Sequence, residues 1–121
     1  MRDFRQLEVW EYSHQLTLAI YRVTADFPKS ELYGLTSQMR RCTASVPANI
    51  AEGCGRVGNG DLQRFLSMAR GSAAELEYFL LLARDLGLVG DCYSRLNAQA
   101  QQVEKMLASL IRKVEAGRAK S

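Results

Sequence analysis

The chain is 121 residues long, which gives room for one domain and little more. Hydrophobic residues make up 47% and charged residues 24%, a balance that excludes intrinsic disorder. No uncharged run approaches the ~18 residues that a membrane-spanning helix needs, and Asp3 and Glu8 spoil the N-terminus as an export signal, so no membrane association and a cytoplasmic location are expected. Sixteen basic residues against thirteen acidic ones leave +3, which permits an acidic partner without requiring one. Twelve of the sixteen are Arg, the residue suited to bidentate pairing with carboxylate or phosphate. Cys42, Cys54 and Cys92 are odd in number and lack a C-x-x-C spacing, so reduced thiols are expected.

The first periodic stretch covers residues 7–27, where Val9, Tyr12, Leu16, Ile20, Val23 and Phe27 recur at intervals of three or four. It ends at Phe27-Pro28, since a proline ring disfavours helical geometry in the residue before it. A second helix is predicted over residues 32–51 on Leu35, Met39, Cys42, Val46 and Ile50, stopping where Gly53, Gly55, Gly58 and Gly60 crowd together. Pro47 falls inside it, so this helix either kinks there or divides in two. The apolar spacing runs through the proline undisturbed and favours a kink. Asp61 resembles the N-cap of a long third helix that ends at Gly87 and Gly90. The fourth begins near Asp91 or Ser94, carries Leu96, Val103, Leu107, Leu110 and Val114 on one side, and is expected to fray from Gly117 onward. No stretch alternates with period two. Residues 1–121 thus read as a single all-α domain, an antiparallel up-and-down four-helix bundle with helix two kinked near Pro47 and a frayed C-terminal tail.

On a helical wheel, helix two carries a polar line, Gln38, Arg41, Ser45, Asn49 and Glu52, beside its apolar face. Helix three offers Arg64, Ser72 and Glu75 as answering groups, and an ion pair between Arg41 and Glu75 is expected, with Gln38, Ser45 and Asn49 extending the network. Three readings stand for this stripe: a solvated face, a buried structural network that fixes register, or a ligand site. No catalytic residues emerge, because no nucleophile and base accompany Arg41 and Glu75. Glu11 and His14 have the Glu-x-x-His spacing of di-iron bundles, but His14 is the only histidine, so no metal site and no cofactor are expected. The run Gly53-Cys54-Gly55-Arg56-Val57-Gly58 has the glycines of a dinucleotide fingerprint but follows a helix where that motif needs a strand.

Helix one has a further line, Trp10, His14, Thr17 and Tyr21, and helix two a row of small residues, Ala44, Ala48 and Ala51. Trp10, His14, Tyr21, Ala44 and Ala48 form a candidate subunit interface, the alternative being that the aromatics cap a wide core. From Arg95 onward six bases face two acids, and Arg95, Lys105, Arg112 and Lys113 are the candidate phosphate contacts. Repetition of that patch around an assembly axis would strengthen its field.

Phe4, Leu7, Val9-Trp10, Tyr21, Phe27-Pro28, Glu31, Tyr33-Gly34-Leu35, Gln38-Met39-Arg40-Arg41, Ser45-Val46-Pro47, Asn49-Ile50-Ala51-Glu52-Gly53, Phe65-Leu66, Gly71-Ser72 and Glu75-Leu76-Glu77 occur together in this order. Through them the chain resembles the four-helix-bundle family of bacterial 23S ribosomal RNA intervening-sequence proteins. The resemblance implies an antiparallel bundle that assembles as a homopentamer, with no established catalytic activity. The family is similar in turn to the accessory protein of diversity-generating retroelements, a basic pentamer that binds nucleic acid and a reverse transcriptase. The resulting expectation is a non-enzymatic homo-oligomer that binds RNA or DNA through its basic surface. The alternative is a scaffold for a partner protein, its charge incidental.

Overall fold

Four helices account for the architecture: α1 (Glu8–Thr24), α2 (Ser37–Cys54), α3 (Asn59–Asp85) and α4 (Tyr93–Lys120). The computed structural model describes residues 3–120, with side chains through residue 118; expectations that fall on residues 1, 2 and 121, or on the Lys120 side chain, lie outside the described residues. Each helix packs on its neighbours in sequence, and α1 closes against α4, giving an all-α, antiparallel up-and-down four-helix bundle. At 1.5 Å per residue α3 and α4 are ~40 Å long and α1 and α2 only ~26 Å. The core takes the stripes that the spacing predicts, including Leu16 and Ile20 of α1, Met39, Val46 and Ile50 of α2, and Leu66, Leu76 and Leu80 of α3. Ala69 and Ala73 on α3 and Ala100 on α4 are fully buried.

The elements differ from expectation mostly at their ends. Helix α1 stops at Thr24, three residues before Phe27. The Thr24 hydroxyl turns back to the carbonyl of Ile20 at 2.7 Å, and Phe27 is buried in the turn that follows. Between Leu32 and Thr36 the chain makes a single π turn, with Gly34 at φ −107°, ψ −110°, and regular α-helix starts only at Ser37. Glu31 supports this turn by accepting the Leu35 N–H at 3.2 Å. Helix α3 begins at Asn59 with Gly58 as N-cap, so Asp61 is a first-turn acid favoured by the helix dipole rather than the cap. At its other end Gly87, at φ +73°, donates to the Arg84 carbonyl while Leu88 donates to Ala83, the paired bonds of a Schellman stop. Helix α4 passes through Gly117 to Lys120, where the sequence leads one to expect fraying.

Helix α2 continues through Pro47 as one element. Pro47 has no N–H for the Thr43 carbonyl, but the Thr17 hydroxyl on α1 lies 3.1 Å from that oxygen and 2.8 Å from Ser13 O, so its single proton is shared between them. The defect in α2 thus becomes a contact with α1.

Candidate functional site

The polar line of α2 separates into a half-buried centre and solvated ends. Ser45 and Ser72 share a short hydroxyl–hydroxyl bond across the α2–α3 contact, and Asn49 Nδ2 returns to the Ser45 carbonyl at 2.8 Å. Cys42 lies in the same contact, its Sγ 3.2 Å from the Ser72 carbonyl. Burial pushes the Cys42 thiol up from 9.0 to about 12; the Glu75 carboxylate beside it adds to the rise and Arg41 opposes it. At that value the sulfur stays protonated and unreactive near neutrality.

The expected Arg41–Glu75 ion pair is not formed. Both side chains are exposed, and Arg41 reaches only Gln38 of its own helix, at 3.5 Å. Glu52 faces solvent and lies 3.7 Å from Arg56. The ion pairs among the described residues, Arg5–Asp3, Arg56–Glu52, Arg64–Asp61 and Arg84–Asp85, are all local and exposed, a class worth roughly 0–1 kcal/mol each. Arg40, not Arg41, spans two helices. Its Nε donates to Thr24 Oγ1 at 2.9 Å, its Nη2 to the Tyr21 carbonyl at 3.3 Å, and its guanidinium lies over the Tyr21 ring. Among the last carbonyls of α1 a cation is also favoured by the helix dipole. The two arginines are adjacent in sequence, but a wheel of about 100° per residue turns one toward α1 and the other away.

The expected interface residues lie beside the α1–α2 contact. Trp10 is half-buried and packs on the core, with Phe4 edge-on at 5.0 Å and His14 stacked at 5.0 Å and 9°. Tyr21 is exposed at its rim beneath Arg40, Ala44 is half-buried and Ala48 is exposed. The four candidate phosphate contacts are all exposed on α4 but form two lines. Arg95 and Lys113 border α1, whereas Lys105 borders α3 beside Arg70, and Arg112 shares its wheel position to within about 20°. Arg95 and Lys113 are ~27 Å apart along the axis.

A largely apolar cleft, of about 460 Å³, opens between α1 and α4 and is lined by Glu11, Tyr12, Gln15, Arg95, Ala98, Gln99 and Gln102. Its lining holds neither a nucleophile with a base nor a pair of facing carboxylates. Among the described residues no group of three or more His, Cys, Asp or Glu side chains is placed to hold a metal ion, and no helix is long and apolar enough to cross a membrane.

The fold and its sites therefore define a four-helix bundle whose positive charge is carried mostly by arginine. The chain belongs to the 23S rRNA-intervening sequence protein family, whose sequence model matches residues 5–109. Among solved structures it is similar to a protein of unknown function from the S23 ribosomal protein family of Bacteroides thetaiotaomicron, with 25% identity and a TM-score of 0.76 over 86% of this chain and 95% of that one. No curated protein matches.

Proposed function

We propose that the protein is a non-enzymatic, cytoplasmic, self-associating helical bundle that binds nucleic acid, RNA or DNA, through basic side chains on its surface. The family description, which refers to ribosomal RNA, supports a role connected with RNA. The observation that carries the reading is the exposure of Arg95, Lys105, Arg112 and Lys113 along α4, none of which has an ion-pair partner among the described residues. Lysine and arginine so presented contact phosphates without reading bases. Self-association, as a pentamer on the family resemblance, repeats both lines of charge around an axis and raises the local field. Tyr12, Met68 and Tyr78 are large apolar side chains left exposed on the single chain, which a subunit contact would cover.

Light scattering with and without a generic RNA tests both parts at once. A multi-chain mass that rises when RNA is added is the expected outcome. The double reversal Arg112→Glu with Lys113→Glu should weaken retention and flatten its salt dependence, by about 0.7 for each phosphate of a single strand that is no longer neutralised. Absence of binding at low salt refutes the nucleic-acid reading. A second reading, a scaffold for a partner protein, is favoured by Tyr33, which stands 93% exposed on the π turn. It predicts a protein partner that survives nuclease treatment in a pull-down.

A further inference from the structure

The end of the bundle where α2 gives way to α3 gathers three arginines from three elements. Arg56, on the link, places its guanidinium carbon 4.9 Å from the centroid of the Phe65 ring, and Arg64 of α3 places its own at 4.5 Å. The two cations are therefore no farther apart than the sum of those distances. Arg118 arrives from the last turns of α4: one terminal nitrogen donates to Gln63, and the other lies 3.6 Å from the point where a Cβ on Gly60 would stand. Gln63 and Gly60 belong to the opening turns of α3, so all three guanidiniums belt the same short stretch of helix.

Phe65 is only 7% exposed and is held in the α2–α3 contact, so it is a fixed platform for Arg56 and Arg64. A guanidinium attracted to a ring through its charge spends none of its N–H donors on that contact, so they stay available to a further partner. Ordering it onto a phosphate then costs less freedom than ordering a free side chain. The carboxylates nearby are weak competitors: Glu52 is 3.7 Å from Arg56 and Asp61 is 3.4 Å from Arg64, both in exposed pairs. A phosphate accepting two parallel N–H bonds is the stronger partner. The adjoining link is open, with Gly55, Val57 and Gly58 exposed and nothing within 4 Å of a Cβ at Gly58, so a polymer backbone can approach closely.

The geometry points to a phosphate-gripping surface made of Arg56, Arg64 and Arg118, a nucleic-acid contact distinct from the lines of charge that Arg95, Lys105, Arg112 and Lys113 make farther back along α4. It rests on the reading of the protein as a nucleic-acid binder and names where the backbone is held. The partner is the phosphate chain of a single strand, gripped without regard to sugar.

Fluorescence anisotropy with labelled oligouridylate and oligothymidylate across a salt series tests this on the full chain. The triple variant Arg56→Gln, Arg64→Gln, Arg118→Gln should bind both probes at least tenfold more weakly at low salt, with a salt slope smaller by about 2, three phosphates at about 0.7 each. The corresponding triple Arg→Lys variant should keep the slope and lose part of the affinity, because charge is retained without the planar fork of donors. Unchanged binding by a folded triple Gln variant, while the Arg112→Glu/Lys113→Glu variant is impaired, overturns this inference and leaves the broader function standing. Failure of the wild-type protein to bind either probe overturns both, and a loss confined to oligouridylate overturns the phosphate grip. If the triple Gln variant does not fold, photocrosslinking of the wild-type chain decides: adducts on the peptides holding Arg56, Arg64 or Arg118 support the grip, and adducts confined to residues 93–113 of α4 overturn it.

Discussion

Pro47 cannot donate to the Thr43 carbonyl four residues behind it, and the hydroxyl that reaches that oxygen belongs to Thr17 on α1. Thr17→Val keeps the shape and leaves that carbonyl without its donor, so it should cost about 1–3 kcal/mol in a urea melt. Arg41→Ala, although it removes a charge from the middle of the polar line, should cost less than about 1 kcal/mol because the guanidinium is exposed and pairs with no acid. A reversed order of these two effects would mean that the α2–α3 polar line outweighs the α1–α2 contact. Cys42 makes stability depend on pH in the alkaline range. Below about pH 9 the thiol is protonated in both folded and unfolded chains, and its contribution is fully present. As the pH rises toward about 12 the unfolded chain gives up its proton while the folded thiol holds it, so stability falls. Urea midpoints at about pH 8 and about pH 10.5 should diverge more in the wild-type protein than in Cys42→Ala.

The α2–α3 crossing depends on Gly53. A Cβ there would stand 3.0 Å from Phe65 Cβ and 3.1 Å from Leu62 Cδ1, so the two helices would have to part. Gly53→Ala should destabilise by about 1–3 kcal/mol, the usual cost of overpacking. Gly71, midway along α3, has nothing within 4 Å of its missing Cβ. Gly71→Ala should therefore stabilise an isolated chain by about 0.5–1 kcal/mol, and thermal melts of the two variants should shift in opposite directions. The helices themselves were legible because a core stripe repeats every three or four residues, as Leu16 and Ile20 or Met39 and Val46 do. The π turn was not, since Leu32 and Leu35 keep a helical interval while only Gly34 leaves helical geometry. Periodicity put Ser45 on one line with Arg41 and Asn49 and offered Ser72 only as one of several answering groups on α3; it could not tell that Ser45 would be the one to meet Ser72, or that Arg40 and not Arg41 would bridge helices. Nor could it bring Arg118 to α3, because its partner Gln63 is 55 positions away and only the closed bundle joins them.

The charge of the whole molecule is modest, +3 over 121 residues, and its placement matters more than its sum. On α4 it is strung along two lines, whereas at the α2–α3 end it is gathered around one aromatic ring. A single chain offers each of these once. Assembly with other copies would multiply both, so the affinity for a polyanion should rise with protein concentration over the range where the mass seen by light scattering also rises. The distribution of thiols supplies a way to read that mass directly. Cys42 and Cys54 are enclosed by the core, and Cys92 at the foot of α4 is the partly open one. A maleimide dye should accordingly attach once per folded chain, and the bleaching steps of a single particle then count its members without chemical cross-linking.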